Sequence, residues 1–263
     1  MLDPLYIRCT AVAEIPSDIS STSSIASSAR YNPLETLGKD EGTPSSFYQI
    51  QSAIRTFSLV HVCRGVTIPK FAFADLSDND GCLMAIQGLY PNSIQYSLTK
   101  PIRAEARIDI GKVKMEATSA AGFARICRSD NPRGVFLAYC SPGNGSEETV
   151  HRVVAGVACV SSVGTLLIEV EDYKSTLFAN LWTFLAARFG SIVLYKPGTL
   201  SCVSRGALLV CQGKGLAFTS EPAETQISTL ETYRYAALQS VSQGVDNLRS
   251  FDNAAYIWAY IKR

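Results

Sequence analysis

Apolar positions change period repeatedly along this chain, from helical spacing to short continuous runs and back. "SFYQIQSAIRTF" places Phe47, Ile50, Ala53, Ile54 and Phe57 at helical spacing, with Pro44-Ser45-Ser46 as its cap. "KFAFAD" (Lys70 to Asp75) reads as a short strand, "GCLMAIQGLYP" (Gly81 to Pro91) as a helix stopped by proline, and "SIQYSL" (Ser93 to Leu98) as a second strand. The stretch from about 100 to 132 is ambiguous, with a weak helical pattern in "KMEATSAAGFARIC". "GVFLAYC" (Gly134 to Cys140) is a strand and "SPGNGS" a loop. "EETVHRVVAGVACVSSV" reads as a helix with acids in its first turn. "TLLIEVE" is a strand, "TLFANLWTFLAARF" an amphipathic helix, and "SIVLYKP" and "GALLVCQG" are two further strands. Beyond Pro222 the pattern is helical through "AETQISTLETYRYAALQSVSQGV" and again in "NAAYIWAYIKR".

Strands alternating with helices imply an α/β fold with a mostly parallel sheet, the last two strands forming an antiparallel hairpin at one edge. Ligands in such folds bind beyond the carboxyl ends of the strands, here after "FAFAD", "FLAYC" and "LLIEVE". The Ser-rich stretch Ser17 to Arg30 marks residues 1–44 as an N-terminal arm or linker. Residues 45–218 form the α/β domain and 219–263 a helical C-terminal appendage.

The chain has 263 residues, 47% hydrophobic and 18% charged, which suffices to bury a large core. The net charge of +1 gives no whole-molecule field to attract nucleic acid, so any such contact needs a local basic patch. The longest apolar run, near Val153 to Val163, is too short and polar to span a membrane, and the N-terminus does not read as a signal peptide. The eight cysteines form no C-x-x-C pair and only two histidines accompany them, so zinc spacing is absent and the thiols read as buried and reduced.

One carboxylate disturbs the pattern. Glu169 interrupts the apolar run Leu166 to Val170, and a buried carboxylate needs a partner. Lys174 and Arg188 are the sequence candidates. The "DLSDND" cluster reads as a solvated turn in preference to a metal site. "SPGNGSEE" lacks the Gly-Lys-Ser ending of a phosphate-binding loop. Cys140 ahead of His151 suggests a thiol nucleophile, although a buried strand-end cysteine explains it as well.

The order of elements resembles the 2′-O-methyltransferase domain of the large polymerase protein of nonsegmented negative-strand RNA viruses and, more broadly, the RrmJ-like methyltransferases. Four stretches between Phe47 and Lys214 carry the resemblance: "FYQIQSAIRTF", "FADLSDNDGCLMAIQGLYPNSIQYSL", "GVFLAYCSPGNGSEETVHRVV" and the block from "GTLLIEVEDYK" to "LLVCQGK". It implies a Rossmann-like methyltransferase sheet flanked by helices. The family uses Lys, Asp, Lys and Glu to take a proton from a ribose 2′-hydroxyl as it attacks a methyl sulfonium. Carried over, these fall on Gln49, on Tyr139 or Cys140, on Glu169, and on Gly206 or Arg205. None of the four residue types is kept. The glycine-rich cofactor loop corresponds to Asp75, Ser77, Asp78, Asp80 and Gly81, with one glycine and three aspartates, which disfavours S-adenosylmethionine.

The resemblance therefore implies a degenerate, catalytically silent domain of a viral polymerase and capping assembly, inside a host cell or virion, with no cofactor expected and no membrane contact. Its partners would be polymerase or capping domains and RNA, the latter held by Lys196 and Arg205. Tyr233, Arg234, Tyr235, Tyr256, Trp258 and Tyr260 read as base-stacking residues or, more simply, as packing for the appendage. Two alternatives remain. One is an active cap methyltransferase using S-adenosylmethionine, with Lys70, Lys100, Lys112, Lys114 or Lys196 as a displaced base. The other is an α/β scaffold that binds protein partners.

Overall fold

The structure is a computed structural model that describes residues 45–57, 59, 72–90, 93–98, 113–114, 119–197, 200 and 204–242. The Ser-rich arm, Lys70, Lys100, Lys112 and "NAAYIWAYIKR" lie outside these residues. In chain order the elements are α1 (Ser45–Phe57), β1 (Ala72–Leu76), α2 (Gly81–Leu89), β2 (Ile94–Ser97), β3 (Val113–Lys114), α3 (Ala120–Asp130) and β4 (Val135–Cys140). They continue with α4 (Ser146–Cys159), β5 (Val160–Val170), α5 (Thr176–Ala186), β6 (Phe189–Tyr195), β7 (Ala207–Lys214) and α6 (Ala223–Ser242).

The strands form one seven-stranded sheet in the order β3-β2-β1-β4-β5-β7-β6. β1 to β5 pair in parallel, whereas β7 inserts antiparallel between β5 and β6. The expected edge hairpin is thus present, with β6 outermost. Both sheet faces are apolar, as strands covered on two sides require. Phe73, Leu137, Tyr139, Leu167, Leu208 and Val210 point to one face, beneath Ile50, Ala53 and Ile54 of α1 and Leu83 and Ile86 of α2. Ala74, Leu76, Ala138, Cys140, Leu166, Ile168 and Leu209 point to the other, packed with side chains of α3, α4 and α5. The C-terminal helix lays Ala223, Ile227 and Leu230 against this second core.

Two boundaries differ from the sequence reading. The helix expected to run through Val163 stops at Cys159, and Val160 turns extended to pair with Val135. The register between β4 and β5 then shifts before Leu137. Gly164 stands at that irregularity, where a Cβ would lie 2.7 Å from the Val135 carbonyl oxygen, so only glycine permits the approach. Phe189, expected to end a helix, opens β6 instead. In the ambiguous region the structure has a two-residue strand, β3, and a helix beginning at Ala120.

Local capping agrees with the pattern. The Ser175 hydroxyl accepts a hydrogen bond from the Phe178 N–H at 3.1 Å and starts α5. Ser175→Ala is expected to cost about 1 kcal/mol, read as a lowered urea midpoint.

Candidate active site

The sheet reverses its winding between β1 and β4, and the loops leaving these two strands flank the crevice where a ligand binds in such a fold. Asp75 and Tyr139 are paired in register there, so their side chains share a face. Asp75 is 1% exposed. Its Oδ1 accepts the Ser77 N–H at 3.1 Å, and its Oδ2 has no partner. Burial pushes its pKa up to about 7, against the hydrogen bonds from Ser77 that lower it; nearby Asp80 adds to the rise and Arg152 opposes it.

The loop after β1 satisfies itself. Asn79 Oδ1 accepts the Gly81 N–H at 3.1 Å and also the Ser46 hydroxyl, which tethers α1 to the loop. The Ser77 hydroxyl donates to the Asn79 carbonyl at 2.9 Å. Gly81 lies directly under α1: a Cβ there would meet Ser46 Oγ at 2.0 Å and the Phe47 nitrogen at 2.7 Å. The space left by the missing side chain is filled by the protein's own helix.

Arg152 of α4 crosses the crevice mouth. Its side chain is 2% exposed. Nη2 donates to both oxygens of Asp78, at 2.8 and 2.7 Å, and to Glu148. Nη1 donates to Ser141 Oγ and to the Pro142 carbonyl, each at 3.1 Å. The loop after β1 is thereby bolted to the loop after β4. The "SPGNGSEE" stretch is closed in the same way: the Asn144 N–H donates to Glu148 and the Gly143 N–H to Thr149 Oγ1. Two backbone donors of the loop ahead of α4 are thus occupied by side chains of the helix's first turn.

Of the positions carried over from the resemblance, two meet directly. Tyr139 donates its hydroxyl to Glu169 Oε2 at 2.7 Å. This replaces the expected partners of Glu169, since Lys174 pairs with Glu231 and Arg188 stacks on Phe184. Burial raises the Glu169 pKa while the Tyr139 hydrogen bond holds it down; burial and the Glu169 charge together push the Tyr139 phenol up. Gln49 sits on α1, which covers this same face; it is 2% exposed and its Oε1 lacks a partner. Gly206 precedes β7 where that strand meets the end of β5, and its carbonyl accepts from Lys196 Nζ at 2.6 Å.

The one-residue alternatives separate by face. Cys140 points into the other core, donates its thiol to the Arg152 carbonyl at 3.4 Å, and is pushed far up by burial, while His151 is exposed. That arrangement contradicts a Cys140–His151 nucleophile. Arg205 turns toward Glu231 on α6.

No known family profile and no curated protein matches the sequence. Among solved structures, the chain is similar to a putative ribosomal RNA methyltransferase from Plasmodium falciparum, at 13% identity and TM-score 0.45, covering 64% of this chain and 96% of that one. It is also similar to human methyltransferase-like protein 13 in complex with SAH, at 9% identity and TM-score 0.47, covering 73% and 92%. A third is an rRNA methylase from Streptococcus thermophilus, at 14% identity and TM-score 0.41, covering 55% and 87%. The strand order, with an antiparallel strand between β5 and β6, carries the fold assignment. This is a Rossmann-like methyltransferase fold.

In that fold the group to test is S-adenosylmethionine. Among the described residues the donor set does not fit it. The Ser77 and Gly81 amides are spent within the loop, Gly81 is roofed by α1, and Asp78 is held by Arg152. A dinucleotide fold places a carboxylate beyond the second strand for the ribose hydroxyls, and here Ser97 and Leu98 stand at that end. Asp80 is buried and adds negative charge beside Asp75. No group of His, Cys, Asp and Glu suited to a metal occurs among the described residues. No described helix is long and apolar enough to cross a membrane.

Lys196 was a candidate both for a displaced base and for RNA. Its amine donates to the Ser204 carbonyl and hydroxyl, each at 2.9 Å, as well as to Gly206. All three ammonium protons are engaged in closing the loop between β6 and β7. The sequence reading passed over Arg152, although Glu148 four residues earlier on the same helix was a visible signal for it. It also passed over Glu231, whose hydrogen-bond partners Tyr173 and Lys174 come from a loop distant in sequence.

Proposed function

We propose that this chain is a methyltransferase-fold domain that has given up methyl transfer and serves as a structural and RNA-handling part of a viral polymerase and capping assembly. One observation carries the loss of chemistry. Where the resembling family needs an amine base with carboxylates around it, this chain has a tyrosine–glutamate hydrogen bond, a buried glutamine and a glycine. A phenol whose pKa is pushed up, bonded to a carboxylate, does not take a proton from a 2′-hydroxyl. The self-satisfied loop after β1 supports the absence of S-adenosylmethionine as a cofactor.

A second reading, an active S-adenosylmethionine-dependent methyltransferase with displaced residues, has one observation in its favour. The buried Asp75 Oδ2 lacks a donor, which a ligand amine or hydroxyl would supply.

Calorimetric titration with S-adenosylmethionine, followed by a labelled methyl-transfer assay on capped RNA, separates the two. The expected result is no saturable binding at millimolar ligand and no label in RNA. Methyl transfer by the purified chain would sink the proposed function. Binding without transfer would confine the loss to the proton-abstracting residues.

A further inference from the structure

The C-terminal helix brings a charged cluster to the rim where β5 ends. Glu231 on α6 accepts the Tyr173 hydroxyl on Oε1 at 2.9 Å and pairs with Lys174 Nζ through Oε2 at 2.8 Å. Burial raises the Glu231 pKa, but the hydrogen bonds from Lys174 and Tyr173 outweigh it, so the carboxylate stays ionised. Both of its oxygens are therefore taken at hydrogen-bonding distance.

Two guanidinium groups flank this carboxylate without reaching that distance: Arg205 Nε at 3.6 Å and Arg234 Nη1 at 3.7 Å. Arg205 is 38% exposed, and its Nε is a buried donor with no acceptor. Lys174 is 44% exposed. Glu231 thus holds three cations around one point while the Arg205 fork remains available. Such an arrangement suits a tetrahedral dianion or a phosphodiester, because a guanidinium offers paired donors to phosphate oxygens.

The position is informative as well. Lys174 lies just beyond β5, and the Tyr173 N–H donates to the Arg205 carbonyl, which fixes the loop before β7 against it. The cluster therefore sits on the ligand-binding rim of the sheet, outside the closed crevice between β1 and β4. We propose that Lys174, Arg205 and Arg234, organised by Glu231, form a phosphate-binding site that takes the backbone of single-stranded RNA. The phosphate chemistry stands on the geometry, whereas RNA as its source rests on the proposed function above.

The test is fluorescence anisotropy of a fluorescein-labelled oligouridylate with the full chain across a salt series. Arg205→Glu is expected to weaken binding about tenfold at low salt and to lower the salt slope by about one. The Arg205 side chain makes no hydrogen bond within the described fold but pairs with Glu231 at 3.6 Å, so Arg205→Glu is expected to lower the melting midpoint by like-charge repulsion, and Arg205→Gln, which removes the charge without adding one, is expected to melt close to wild type and to weaken binding in the same direction. Arg133→Glu changes net charge equally in the exposed turn before β4, on the opposite rim, and is expected to keep most of the affinity. Three results would overturn the site: no binding by the wild-type chain, equal losses in Arg205→Glu and Arg133→Glu, or an unchanged Arg205→Glu. The last would leave the cluster to an acidic protein surface. Methyl transfer by the wild-type chain would refute the proposed function without touching this site.

Discussion

Asp75→Asn is expected to stabilise the protein near pH 8 and to change it little near pH 4. Asp75 is buried at the end of β1, one carboxylate oxygen is unpartnered, and its pKa rises from 3.8 to about 7. In the unfolded chain the group ionises near 3.8, so between that value and about 7 the folded state binds the extra proton. Stability therefore falls as pH rises through this window and levels off above it. The full span corresponds to about 4 kcal/mol, and relaxation around the charge leaves an expected gain of about 2 to 4 kcal/mol for the neutral amide above the window. Asn keeps the oxygen that accepts the Ser77 N–H, so the loop retains its turn. Glu169, whose pKa is also raised, slopes the same way, whereas Glu148 and Glu231, both lowered, lose stability on the acid side. The difference between wild-type and Asp75→Asn urea midpoints from pH 4 to 8 isolates the single group. A difference that does not grow with pH would mean that the carboxylate is ionised and paired in the native state.

This behaviour bears on function. A carboxylate that a bound cofactor would use to accept hydrogen bonds is here buried, with its pKa raised by desolvation, and enclosed by the protein's own loop. The same residue would give a different profile in the second reading, where a ligand donor would lower its pKa and flatten the slope.

How far the sequence reaches is clearest at particular residues. β1, β4 and β7 were legible because each is a short apolar run bounded by turn chemistry, and α5 because its apolar stripe follows a serine cap. Val160 to Val163 were not, since "ACVSSV" continues the helical spacing and only pairing with Val135 across the sheet converts it to strand. β3 was not, because two residues carry no period. The cost of burying Glu169 was legible, and its partner was not. Tyr139 lies 30 residues away and meets it through the parallel register of β4 and β5, which sets Tyr139 beside Leu167 and within reach of the next residue on that face. The choice between Tyr139 and Cys140 likewise waits on which face each takes, a fact of register and not of composition.

Arg152→Ala is expected to be the most damaging single change in the loops around the crevice. Arg152 is nearly fully buried and serves Asp78, Glu148, Ser141 and the Pro142 carbonyl at once. Removing it leaves two carboxylates side by side, strips the Pro142 carbonyl of its donor, and empties the space of a long alkyl stem. Breaking a buried pair costs about 3 to 5 kcal/mol, but Asp78 and Glu148 are 51% and 41% exposed and recover water, so the expected loss is about 2 to 3 kcal/mol. Arg152→Met keeps the stem and is expected to recover part of that loss. Asp78→Asn alone is expected to cost less than either, because Glu148 and the backbone still hold the guanidinium. Hydrogen exchange at the loops after β1 and β4 should accelerate together in Arg152→Met, since one side chain ties both. If only one loop speeds up, the bridge does not couple them, and the closed crevice must be held by the contact of α1 with Asn79 instead.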